Sequence, residues 1–75
     1  MNKLDMLYIT SFRYCLGRRT YIVGMFKEFL FEDIDKLSYN TIAIMHKEIN
    51  EAKSLGDDCD NEVWLEVLKK LGDKL

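Results

Sequence analysis

The residues of this chain whose types and spacing suit chemistry lie close together: Arg13, Tyr14, Arg18, Arg19, Thr20 and Tyr21 fall within nine positions, with Gly17 among them. Guanidinium groups grip phosphate through paired hydrogen bonds and also stack on rings. Tyrosine offers a flat face with a hydroxyl at its rim. A Gly-Arg-Arg-Thr turn can end one helix at Gly17 and start the next near Thr20, leaving backbone N–H groups and two guanidinium forks for one anion. The chemistry this set suits is non-covalent, with arginine on phosphate and tyrosine on a base or ribose. The plainer alternative is that the arginines pair with the acidic half of the same chain or of a neighbour.

The rest of the sequence offers no machinery for turnover. Gly17-Arg18-Arg19-Thr20 lacks the length and the lysine of a Walker loop, and it is not the dinucleotide fingerprint. His46 is the single histidine, without a partner at metal spacing or an adjacent nucleophile, so it reads as a structural or surface residue. Asp57, Asp58, Asp60 and Glu62 lack the spacing and central glycine of a calcium loop and read as solvated capping residues. Cys15 sits in an apolar pattern and Cys59 in an acidic stretch, which suits reduced thiols better than a disulfide framework. The expectation is a protein that is not an enzyme and has no metal and no cofactor.

Net charge is −2, where general nucleic-acid binders are basic, so nucleic acid is an unlikely partner. All three arginines lie between positions 13 and 19, whereas residues 32–75 carry eleven acids against six lysines. Groove reading by a second helix is also disfavoured, since the stretch after Tyr21 is almost wholly apolar. No apolar run of about 18 residues exists to cross a bilayer, and the N-terminus lacks a signal-peptide pattern, so a soluble, cytoplasmic protein with no membrane partner is expected.

Seventy-five residues at 48% hydrophobic content make one domain, 1–75, near the lower limit for an independent core. Leu4, Tyr8, Phe12, Cys15 and Leu16 recur at helical spacing, with Met6, Leu7 and Ile9 widening the stripe, and predict a first helix from about Leu4 to Leu16. A second helix from Arg19 or Thr20 to about Phe31 is apolar on nearly all sides, through Ile22, Val23, Met25, Phe26, Phe29, Leu30 and Phe31. Gly24 within it either admits another helix closely or is a tolerated weak spot. After an acidic connection anchored by Ile34 and Leu37, Ser38 caps a third helix to about Leu55, closed by Gly56, with Ile42, Met45, Ile49 and Ala52 inward. Asp60 or Asn61 caps a fourth helix carrying Trp64, Val67, Leu68 and Leu71, with Gly72 as its stop. The predicted fold class is all-α, a small bundle of four helices. It is expected to be homo-oligomeric, because the second helix has more apolar surface than three short companions can cover.

The run Arg13-Tyr14-Cys15-Leu16-Gly17-Arg18-Arg19-Thr20-Tyr21 resembles a segment of small, mostly uncharacterised helical proteins encoded by bacteriophages and prophages. Those chains similarly continue with an apolar helix, a polar middle helix and a tryptophan-containing last helix. In size and basic-aromatic content they resemble the oligomeric sponges by which phages sequester nucleotide immune signals. The resemblance implies an anti-defence protein in the host cytoplasm that holds a cyclic nucleotide or ADP-ribose derivative in an oligomer pocket without catalysis, lined by Arg13, Tyr14, Arg18, Arg19, Thr20 and Tyr21. The alternative from another class is a phage inhibitor that binds a host defence protein through its surface, with Arg18, Arg19 and Tyr21 as hot spots.

Overall fold

The computed structural model describes residues 2–16, 20–54 and 62–75, and these form helices with no strand among them. Helix α1 spans Lys3–Cys15, α2 Thr20–Asp33, α3 Tyr39–Ser54 and α4 Glu62–Asp73, with a 3-10 turn at Ile34–Lys36 between α2 and α3. Each forms where the apolar spacing predicts a helix. The all-α bundle is therefore as expected, while α2 continues two residues past Phe31, through what reads in the sequence as connection. Gly72 likewise falls inside the last turn of α4. Gly56, Asp60 and Asn61, expected at helix ends, lie outside the described residues.

Local chemistry sets the ends. Asn2 Oδ1 accepts the Asp5 N–H at 2.8 Å and caps α1, whose last carbonyls are met by the Leu16 N–H bonding back to Phe12. Ser38 acts as the expected cap of α3, its Oγ accepting the Thr41 N–H at 3.3 Å. Leu37 and Ile34 are buried and pin the connection to the core.

The core is a nest of rings that ties three helices together. Trp64 of α4 is fully buried and meets Phe12 of α1 edge-on at 5.8 Å and Phe26 of α2 at 6.3 Å. Tyr8 adds a T-shaped contact to Phe26. Each such pair contributes about 0.5–1.5 kcal/mol beyond area burial. Ile42, Met45 and Ile49 close the nest from α3, with Val23, Leu30, Val67 and Leu71 filling the remainder.

Asp5 is the unexpected member of the interior. Its position in the first turn reads as a complement to the helix dipole, yet the side chain is almost fully buried, and its Oδ1 accepts the Ser38 N–H at 3.0 Å. It therefore fastens the start of α1 to the start of α3. That bond, with the Thr41 and Ser38 hydroxyls, holds the carboxyl below its ordinary value of 3.8 despite burial. Asp33, bonded by Tyr8, and Asp35, bonded by Lys74, are lowered in the same way.

Two outcomes follow. A carboxyl with a depressed folded-state pKa stabilises fully above its unfolded value, and that contribution is lost as pH falls through the lower folded value. Thermal melts should thus show Tm falling below about pH 4, while Asp5→Asn lowers Tm at neutral pH and flattens part of the acid loss. At Gly24, a Cβ would meet nothing within 4 Å, which selects the weak-spot reading over close approach of another helix. Gly24→Ala should stabilise by up to about 1 kcal/mol and raise Tm by several degrees in the same assay.

Candidate functional site

Helices α1 and α2 run antiparallel, as shown by contacts at both ends. Tyr8 near the start of α1 meets Phe29 and Asp33 near the end of α2, while Tyr14 and Cys15 share a groove wall with Ile22. On the face away from α3 and α4 the pair leaves an open groove of about 550 Å³. Leu7 and Tyr14 form one wall, and Ile22, Phe26 and Phe29 the other. Thr10 and Ser11 place hydroxyls along the α1 side.

The floor of the groove carries one polar node. The Tyr8 hydroxyl lies 2.6 Å from Asp33 Oδ2 and 2.8 Å from the Phe29 carbonyl, so its single proton serves two acceptors. Burial is the chief cause that pushes the Tyr8 phenol up, and the adjacent Asp33 carboxylate adds to it. Tyr8 therefore stays neutral as a donor. Asp33 in turn is held ionised by Tyr8 and Lys36. Two fixed, satisfied groups do not make an acid-base pair with a substrate; they orient the floor.

The sequence-predicted site residues divide. Arg13 does not face the groove, because its Nε and Nη2 reach Glu48 of α3 at 3.2 and 2.9 Å in a bidentate pair. For this arginine the plainer reading, pairing with the acidic half, is what the structure has. Tyr14, one residue on, lies on the groove side and is 57% exposed. Successive helical residues are about 100° apart, so the two cannot share a small ligand easily. Tyr21 is exposed on the first turn of α2 and Thr20 opens that helix. Arg18 and Arg19 lie outside the described residues.

The other candidates take different places. His46 is half-buried, stands 3.6 Å from where a Cβ on Gly72 would sit, and neighbours the Asn50 amide. Of the phenylalanines on the second helix, Phe26 is core, Phe29 is exposed, and Phe31 is half-buried with the ammonium groups of Lys27 and Lys70 over its ring at 5.8 and 5.5 Å. Among the described residues no group of three or more histidine, cysteine or acidic side chains is placed to hold a metal ion. No helix among them is long and apolar enough to cross a membrane.

What the sequence reading did not separate from core is the apolar face itself. Met6, Leu7, Tyr14, Tyr21, Met25 and Phe29, all on α1 and α2, are each more than half exposed. The signal was present as the surplus of apolar residues on the second helix. Comparison with family models, with curated proteins and with solved structures finds no match to this chain.

Removing the Tyr8 hydroxyl should be felt locally. Tyr8→Phe keeps the ring packing on Phe26 but removes the hydroxyl donor from the Phe29 carbonyl and from Asp33 Oδ2, at a cost of about 1–2 kcal/mol in denaturant unfolding. Arg13→Ala, which opens only a solvent-exposed ion pair, should leave Tm nearly unchanged in the same series.

Proposed function

We propose that this chain is a non-catalytic binding protein of the phage anti-defence kind, homo-oligomeric, that works by protein–protein contact with a host factor. The observation that carries the reading is the apolar α1–α2 face, where Leu7, Tyr14 and Phe29 are exposed along a groove walled by hydrocarbon and rings, with Tyr21 and Met25 exposed on the same helix as Phe29. Contiguous apolar surface of this sort on a small domain marks a contact site. Interface cores are rich in aromatic residues and methionine and poor in charge, which matches Tyr14, Met25 and Phe29. The geometry thus raises protein binding above the nucleotide reading that the sequence favours, because Arg13 is engaged by Glu48 and the groove walls present little to a phosphate.

The nucleotide-signal reading stands second, on a specific observation. Tyr14 and Tyr21 are exposed near the end of α1 and at the start of α2, flanking Arg18 and Arg19 in the sequence, and rings beside arginines suit a base or ribose with a phosphate. Tagged wild-type protein and Phe29→Glu, compared by pull-down from host lysate with native mass spectrometry, should differ: wild type retains a specific protein and Phe29→Glu loses it while keeping its helical circular dichroism. Equal capture by both contradicts the leading reading. A thermal-shift panel of cyclic dinucleotides and ADP-ribose derivatives tests the second, which requires stabilisation that disappears in Arg18→Ala or Arg19→Ala.

A further inference from the structure

We infer that, until the host factor is met, the α1–α2 face is covered by a second copy of this chain, paired about a two-fold axis that runs along the groove. The inference rests on reading this face as a protein-contact surface, and it names what covers that face when the host factor is absent. An isologous interface requires one patch to complement itself. The apolar part does so trivially. The charged rims decide the rest.

On the rim beside α1 the exposed charge nearest the groove is Lys3, at the start of the helix; on the rim beside α2 the exposed charges are Glu28 and Glu32. Lys27 belongs to neither rim, since its ammonium is bonded to Glu66 of α4 on the inner side. Because α1 and α2 are antiparallel, Lys3 and Glu32 lie at the same end of the pair. A two-fold axis along the groove lays α1 of the second copy over α2 of the first without reversing ends, so each Lys3 faces the other copy's Glu32. An axis across the groove instead stacks α2 on α2 with ends reversed, which brings Glu28, near the middle of the helix, toward its own copy and carries Lys3 to the end away from Glu32. Like charges juxtaposed at an interface are strongly disfavoured, and opposite ones fix register. The charge pattern therefore selects one of the two arrangements.

The product is a four-helix layer with Leu7, Met25 and Phe29 of both copies enclosed, capped on each side by an α3–α4 pair. It also brings the Tyr14 and Tyr21 ends of both copies to the same end of the assembly.

Sedimentation equilibrium of the full chain at micromolar concentration should give twice the 8.9 kDa chain mass. Lys3→Glu and Glu32→Lys should each raise the dimer Kd about tenfold, and the double exchange should return it to within about threefold of wild type. A double variant weaker than either single one overturns the assignment of the axis and with it the proposal. So does a wild-type monomer. In that case host-protein capture lost in Phe29→Glu leaves the contact-surface reading standing with another occupant, whereas capture independent of Phe29 removes both.

Discussion

The fold depends on one indole. A 75-residue chain has few apolar groups with which to build an interior, and Trp64 concentrates the task by touching Phe12 and Phe26, so that α1, α2 and α4 converge on a single ring. The ring nest fixes which side of α1 and α2 faces inward. With Phe12 on α1 and Phe26 on α2 turned to Trp64, helical geometry directs Leu7, Met25 and Phe29 elsewhere, and among the described residues no further element covers them. The exposed face is thus a consequence of how the core is built.

A second constraint comes from the polar fasteners. Asp5 joins the start of α1 to the start of α3 through the Ser38 N–H, and Tyr8 joins α1 to the end of α2 through Asp33 and the Phe29 carbonyl. The first works at helix starts, where unpaired backbone N–H groups are available, and the second reaches from the middle of α1 to the last turn of α2. Both hold α1 in a fixed setting against its neighbours, so the groove between α1 and α2 has a defined shape before anything binds. Preorganisation of that kind lowers the entropy cost of association.

The helices were legible in the sequence because each carries apolar residues at helical spacing, and Ser38 announced the start of α3 by its type and place. Less legible was the covered or uncovered state of those residues. The stripe on α1 marked Met6, Leu7 and Ile9 alike as interior, yet only Ile9 is buried, because periodicity states that a face is apolar and not that a neighbour exists to cover it. Asp5 misled in the opposite sense: an acid in a first turn suits the dipole in solvent, and its burial depends on Ser38, thirty-three residues away, which no local pattern reports. The grouping of Arg13 with Tyr14 read adjacency along the chain as adjacency in space. On a helix those side chains diverge, and here one meets Glu48 while the other lines the groove.

The central claim is that the α1–α2 face is covered by protein in the working form. Hydroxyl-radical footprinting across a dilution series measures this directly, with Tyr39, an exposed residue of α3 far from the groove in sequence, as the internal reference. The account predicts that Leu7, Met25 and Phe29 are protected at micromolar concentration and become as reactive as their exposure implies on dilution, while Tyr39 reacts equally throughout. Leu7, Met25 and Phe29 reacting at full rate at every concentration, with or without host extract, would contradict it.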